Sequence, residues 1–524
     1  MPADPPPRQL SLVRVAALLV VIAGLALGVW RLIAHDAANA DATSKAVPVY
    51  APYVDVTLTP TYPFQSPSAN PVSSAYLGFI VSDPSSPCTP SWGGYYTLGQ
   101  AAQTLDLDAR IAQLRRQGGS AAISFGGEDN TELAVDCTSK AALVSAYLEP
   151  IERYHVTTID LDVEGSALAD RAANARRATA IAAIQRRMTA HHTPLRVWMT
   201  LPVSDEGLTA EGTAAVRAML AAHVTLAGVN AMAMDFGPGE GAAHDMLATV
   251  ERALDATHAQ VQSLWHAAGL RTSAGSAWEH LGATVMLGVN DVTDERFTTA
   301  DAHALRAFAS REGIPRVSAW SLNRDSECGG AFPKVGVVSN TCSGVLQSPL
   351  EFTHIFSRLA GTNTARTQTT AVAPEQQAAT TSTDEPATSP YPIWQAAAAY
   401  VTGYKVVWEG NIYEAKWWSQ GTPPGSGESE ASAGPWLLIG PVPAGSSAPK
   451  PTVLASGHYS AWSPTAVYRK GQRVLFEGLP FEARFYTHAE QPSSALPGNP
   501  SSPWEPLFSD PGEPADTGIG AGTS

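Results

Sequence analysis

The chain has 524 residues, 44% of them hydrophobic and 15% charged, which is more than one core ordinarily holds and too apolar for a disordered protein. A formal net charge of -15, with 33 Lys+Arg against 48 Asp+Glu, excludes the broad basic surface that neutralises phosphates, so nucleic acid is not an expected partner. The 43 Gly, 40 Pro and 13 Trp point instead to many loops and many flat aromatic faces.

Arg8 and Arg14 precede an uncharged apolar run from Val15 to Trp30, followed by Arg31 and the small-residue stretch Ala38-Asn39-Ala40. This reads as an export signal over residues 1–40, either cleaved after Ala40 or kept as an anchor by a run short for a full span. The expected location is secreted or cell-surface, with a membrane met only through that anchor. In an oxidising compartment the four cysteines should pair. Cys328 and Cys342 lie close in sequence, which leaves Cys88 with Cys137, and two other pairings stay formally open. Thiols so widely scattered, without a CxxC, do not form a zinc set, and no metal is expected.

From residue 48 to 360, short β-branched or apolar runs alternate with Ala/Leu/Arg-rich stretches of helical composition. The runs are Val49–Val56, Tyr76–Asp83, Ser120–Gly127, Thr157–Gly165, Arg196–Val203, Gly228–Gly237, Thr284–Asp291 and Val317–Asp325. Eight strands alternating with helices suit an α/β fold of the (β/α)8 TIM-barrel kind. An open doubly wound sheet is the competing reading, but neither GxGxxG nor GxxxxGK[ST] occurs. Residues 361–391 hold almost no large apolar side chain and read as a linker.

An internal repeat follows. Trp394, Tyr400, Gly403, Trp408, Gly410, Tyr413, Ala415, Trp417, Trp418 and Trp436 recur 68 positions later as Trp462, Tyr468, Gly471, Phe476, Gly478, Phe481, Ala483, Phe485, Tyr486 and Trp504. The repeat predicts two small all-β units, residues 392–440 and 460–508, joined by a Pro/Ala/Gly-rich linker at 441–459 and followed by a loose tail at 509–524.

Ile159-Asp160-Leu161-Asp162-Val163-Glu164-Gly165 alternates acids with apolar residues, so the three carboxylates share one face of a strand, the interior in a barrel. Stacked at i, i+2 and i+4 they repel one another, and at least one should hold a proton near neutral pH. Glu164 lies nearest the carboxyl end of its strand, where barrel sites open, and is the candidate general acid. Clustered carboxylates also suit Mg²⁺ or Ca²⁺, but no other strand end offers comparable ligands, and the adjacent His191 and His192 fall outside any strand end. Around the same mouth come Ser124-Phe125-Gly126-Gly127 on the third strand, Met232, Met234 and Asp235 on the sixth and Trp320 on the eighth. With Tyr53 of the first strand, these supply the candidate substrate-binding residues Tyr53, Phe125, Gly126, Met232, Met234, Asp235 and Trp320.

SFGG at 124–127, DxDxE at 160–164, NAMAMDFG at 230–237, GVND at 288–291 and AWSLNRD at 319–325 resemble the bacterial chitinases of glycoside hydrolase family 18. The resemblance implies hydrolysis of β-1,4 bonds between N-acetylglucosamine units by substrate-assisted, retaining catalysis, in which the sugar's acetamide oxygen is the nucleophile. Glu164 would then be the acid and base, Asp162 the group that orients the acetamide nitrogen and Asp160 the group that tunes Asp162. Asp235 would hydrogen-bond in the same subsite and Trp320 would form its floor. The chain departs from the family pattern at Thr157-Thr158, which stand in place of Asp-Gly, at Val163, and at Met234, which replaces a common Tyr.

The repeated unit, with Ala-Lys-Trp-Trp at 415–418, is similar to chitin-binding modules of carbohydrate-binding families 5 and 12. Adjacent aromatics on a strand should place one ring in and one out, so Trp418 with Tyr404 or Trp394 is the expected platform. Trp417 belongs to the same candidate set, as do Trp462, Phe485 and Tyr486 in the second copy. The resemblance implies no cofactor, a chitin-like polysaccharide as partner and a monomer. Competing readings are a non-catalytic chitin-binding or adhesion protein with a degenerate barrel, and a hydrolase of peptidoglycan or of the N-glycan chitobiose core.

Overall fold

Parallel strands covered on both faces read as continuous apolar runs, and eight such runs close into a cylinder in the computed structural model. It describes residues 48–237, 246–272, 276–329, 338–359, 384–425, 434–447, 454–492, 502–510 and 513–514. The expected export signal at 1–40, most of the expected first linker and most of the tail lie outside the described residues. Among the described residues no helix is long and apolar enough to cross a membrane.

The first barrel strand comes in two pieces, β1 (Val49–Tyr50) and β2 (Tyr53–Asp55). Then come β3 (Ser74–Asp83), β4 (Ser120–Gly126), β5 (Thr158–Asp162) and β6 (Arg196–Ser204), followed by β7 (Leu226–Met232), β8 (Leu281–Met286) and β9 (Arg316–Trp320). Each pairs in parallel with its sequence neighbour from β2 through to β9. The ring closes because β1 pairs in parallel with β9, while β2 continues the same strand and pairs with β3. The expected (β/α)8 topology is therefore present. Four strands end three to five residues earlier than their sequence patterns, at Asp162, Met232, Met286 and Trp320.

Helices α1 (Leu107–Arg116), α2 (Lys140–Arg153), α3 (Arg171–Ala190), α4 (Ala210–Ala221), α5 (Met246–Ala267) and α6 (Thr299–Glu312) cover the outside. Helix α5 shows why: Met246, Val250, Ala253, Leu254, Thr257, Val261 and Leu264 form one buried stripe at helical spacing. Helix ends are set locally. Asp170 accepts from Ala172 N and Ala173 N to start α3, and Thr298 with Asp301 forms a capping box for α6. Both expected disulfides are present, Cys88–Cys137 and Cys328–Cys342.

The two C-terminal units are strand-rich and built alike. In the first, β10 (Lys405–Trp408), β11 (Asn411–Ala415) and β12 (Trp436–Pro441) form an antiparallel sheet, and the second repeats it with β13 (Arg473–Phe476), β14 (Leu479–Ala483) and β15 (Trp504–Pro506). The 68-residue offset is visible atom by atom. Tyr400 OH accepts from Gln395 N at 2.6 Å and Tyr468 OH from Ser463 N at 2.6 Å, while Trp436 Nε1 donates to Thr422 O at 2.9 Å and Trp504 Nε1 to Glu490 O at 2.8 Å. Residues 384–391, expected as the end of the linker, belong structurally to the first unit: Asp384 accepts from Glu409 N and Gly410 N, each at 2.8 Å.

The Cys88–Cys137 bridge closes 49 residues of chain, spanning from the hairpin after β3 across α1 and β4. Replacing Cys88 and Cys137 together with Ser is expected to cost about 4 kcal/mol by the loop-entropy account, a fall in Tm of roughly 6 °C for a barrel of this size. Calorimetry of the purified protein checks this.

Candidate active site

Inside the barrel, alternation turns every second side chain of a strand toward the interior. There the residues are unusually polar. Asp160, fully buried on β5, accepts from Tyr53 OH at 2.7 Å, Ser124 Oγ at 2.9 Å, Thr200 Oγ1 at 2.8 Å and Arg316 Nη1 at 2.8 Å. Arg316 in turn donates to Tyr53 OH at 2.9 Å and Ser318 Oγ at 2.7 Å, and its guanidinium lies 3.9 Å from the Tyr76 ring centre. Asn230 Nδ2 donates to Thr200 Oγ1 at 3.0 Å and also to Thr284 Oγ1. A buried polar cluster is tolerated only when its groups are matched, and here one cation and one anion sit at its centre.

Above this layer opens a cavity of about 600 Å³ at the carboxyl ends of the strands. Its lining includes Tyr53, Gly126, Asp162, Glu164, Met232, Met234, Asp235 and Trp320, all expected from sequence. Gly126 is required at its place. Its φ is +103° and a Cβ would stand 1.9 Å from Asp162 O, so any side chain would push β5 out of register. Trp320 stacks on Phe79 with ring centres 5.3 Å apart and forms one wall.

Asp162 and Glu164 share a side-chain hydrogen bond, and their titrations are linked. Burial first, then the charges of Glu164 and Asp160, hold the Asp162 carboxyl well above the usual carboxylate range. Glu164 is pushed up to about 7, chiefly by burial and then by the charges of Glu128, Asp235 and Asp129, with its bond to Asp162 opposing. Asp162 Oδ1 is buried and has no hydrogen-bond partner within the protein, an acceptor left for a donor on a ligand. Asp235, with φ +52°, lies three residues past the end of β7 and accepts from Val292 N at 2.8 Å. Burial raises it too. Glu295 accepts from Phe236 N at 3.1 Å and Gly237 N at 3.0 Å and so ties the Asp235 loop to the loop after β8.

Phe125 is a correction. It is buried and packs edge-on against Tyr147, ring centres 5.0 Å apart, in the layer between sheet and helices. Ser124 faces Asp160 and Gly126 faces the cavity, so alternation forces Phe125 outward. The expected aromatic platforms are also corrected. Tyr404 is buried in the core of the first unit, and Trp394 packs edge-on against Trp408 as Trp462 does against Phe476. Among the described residues of the two units, the exposed rings are Trp417 and Trp418, and their repeats Phe485 and Tyr486. Both members of each pair face out because they lie in a bend after β11 or β14, where strand alternation no longer holds.

Sequence reading missed Arg316, Thr200, Asn230, Glu295, Glu128 and Asp129. Arg316 was one residue outside the eighth expected strand, and a lone basic residue at the start of an apolar strand was the available signal. Among the described residues no group of three or more His, Cys, Asp or Glu side chains could hold a metal ion.

No family model matches the chain. Two curated relatives are similar to part of it: a probable bifunctional chitinase/lysozyme of Escherichia coli, 34% identical over 286 residues (53% of this chain, 31% of that protein), and endochitinase 11 of Metarhizium anisopliae, 32% identical over 287 residues (53% and 52%). The chain thus spans about a third and about half of the length of these two relatives. Among solved structures, active domain 2 of the Pyrococcus furiosus chitinase shares the fold, with TM-score 0.51 and 24% identity over 60% of this chain and 98% of that one.

The raised Glu164 has a consequence for stability. Its folded value, about 7, exceeds the ordinary 4.5, so the fold favours the protonated form. That preference is satisfied below pH 4.5 and becomes an ionisation cost that grows as pH rises to about 7. Glu164→Gln cannot ionise, so it should match wild type in Tm at pH 4 and exceed it by several degrees at pH 8, as a pH series of thermal melts will show.

Proposed function

We propose that the protein is an exported chitinase that hydrolyses β-1,4 bonds between N-acetylglucosamine units by substrate-assisted, retaining catalysis. The observation that carries this is the linked pair of Asp162 and Glu164 above Asp160 in an aromatic-walled cleft, with Glu164 poised near neutrality. A general acid works best with its pKa near the working pH, and Glu164 satisfies that condition at the mouth. Two features support the acetamide as nucleophile. The unpartnered Asp162 Oδ1 is a ready acceptor for the acetamide N–H. Asp162 and Glu164 also act on each other's carboxyls, each being among the causes of the other's shift. Glu164 then protonates the leaving oxygen, the acetamide oxygen closes on the anomeric carbon, and Glu164 takes a proton from the water that opens the ring. Met234 has no hydroxyl to hold the acetamide oxygen, and Thr200 and Thr284 are hydroxyls that also line the cavity.

The names of both curated relatives include chitinase, which supports this substrate class. Peptidoglycan fits less well. Among the described residues, Asp55, Glu128, Asp129, Asp162, Glu164, Asp235 and Asp291 line the cavity and no Lys, Arg or His does, so the carboxylates of a muramyl polymer would meet like charge there. The exposed pairs Trp417–Trp418 and Phe485–Tyr486 support chitin binding by the two C-terminal units, since flat rings stack on the apolar faces of the sugar.

On a fluorogenic chitotriose glycoside, Glu164→Gln is expected to lower kcat by about 10²–10⁴-fold with the fold intact. Wild-type kcat should fall as pH rises through about 7, where Glu164 loses its proton. A wild type without turnover, or a Glu164→Gln variant with full turnover, overturns the reading, and proton NMR of the first product should show the β anomer.

A further inference from the structure

The first strand-rich unit is not merely strung on the barrel. Val407, Ile412 and Ile439 pack with Tyr391 against Ala109 of α1. The backbone at Gly440 comes so close that a Cβ would stand 2.1 Å from Ala109 O. Beside this seam Asp106, at the amino end of α1 and buried, accepts from Tyr391 OH at 2.7 Å and from Lys405 Nζ at 2.6 Å. At the other end Arg116 Nη1 donates to Asn411 Oδ1 at 2.9 Å. Two polar anchors at the ends of one helix, with an apolar seam between them, fix rotation as well as contact.

These anchors also give the unit a direction. Helix α1 runs back down the barrel from the carboxyl-end face, since Arg116 leads within four residues to Ser120 at the start of β4. Asp106 therefore stands on the side of the mouth and Arg116 on the far side, about 15 Å apart along the helix. Asn411 lies beside Arg116, and Glu414, three residues on, feels the charges of Lys405, Asp106 and Arg110. Strand β11 thus climbs toward the mouth. The next residues after Ala415 are Lys416, Trp417 and Trp418, whose rings are 46% and 55% exposed.

We infer that the first C-terminal unit is a fixed extension of the catalytic face, holding Trp417 and Trp418 against the same crystalline chitin surface from which a chain enters the Glu164 cleft. The inference rests on the chitinase reading and adds to it that the unit's orientation, and not only its attachment, serves turnover on the solid. Stacking on the aromatic pair would then set where along the surface the cleft engages, which a unit on a loose tether cannot do.

The test uses the full chain with Lys405→Glu and Gly440→Val combined, which sets like charge against Asp106 and fills the close approach to Ala109. Four readouts separate the outcomes: hydrolysis of the fluorogenic chitotriose glycoside, pull-down on insoluble chitin, hydrolysis of insoluble chitin, and hydrogen exchange of α1 amides. The expected result is unchanged soluble turnover and pull-down, faster exchange in α1, and a fall of about tenfold in hydrolysis of the solid. Should exchange rise while hydrolysis of the solid stays at the wild-type rate, the orientation has no role and the inference is overturned. Unchanged exchange overturns it as well, because the seam would not then be what holds the unit. If the double variant does not fold, Lys405→Glu alone carries the same comparison. Loss of soluble turnover in the wild type would sink the chitinase reading instead, leaving exchange and pull-down to report on the docking.

Discussion

A carboxylate buried inside a barrel needs a cation to meet it, and for Asp160 Arg316 is that cation. It bonds Asp160 at 2.8 Å in a place where neither group touches water. Burying such a pair costs desolvation at both ends and succeeds only when every lone pair and proton finds a partner. Here Tyr53, Ser124 and Thr200 complete the shell of Asp160, and Ser318 with the Tyr76 face completes that of Arg316. Above the saturated Asp160, burial raises the carboxyls of Asp162 and Glu164.

That division gives the mouth its chemistry. Asp162 is still buried and Glu164 is half in reach of solvent, so the proton is held at the boundary between a dry interior and an open cleft. Loops finish the arrangement. Glu295 grips the backbone at Phe236 and Gly237, and Asp235 grips Val292, so the acid past the sixth strand is held by the loop past the seventh. Asn323 does the same for the first strand, bonding both the N–H and the C=O of Asp55 at 3.0 Å. Residues of the last strand's loop thus lock the point where the cylinder closes.

The C-terminal repeats divide their aromatics by a simple rule. Rings on strands are core: Tyr400 meets Trp436 and Tyr468 meets Trp504, each pair edge-on with ring centres 5.2 and 5.1 Å apart. Rings in the bend after the second strand of each sheet are outside. The same sequence repeat therefore encodes both a core and a sticky edge, and the first copy adds an apolar second face, Val407, Ile412 and Ile439, which the barrel covers. In the second copy the corresponding positions are Leu475, Pro480 and Leu507.

Much of this was legible in the chain. Alternating apolar runs and helical stretches determine a parallel barrel because period and spacing are local properties. The acid ladder announces its own face, a fixed 68-residue offset announces two copies, and an even count of four cysteines announces two bridges. Tertiary structure alone decided that Arg316, 156 residues from Asp160, would neutralise it, that Phe125 would turn outward, that both Trp417 and Trp418 would stay exposed, and that the first unit would seat on α1. Each depends on which distant strand, bend or helix comes to lie alongside, and no local period carries that information.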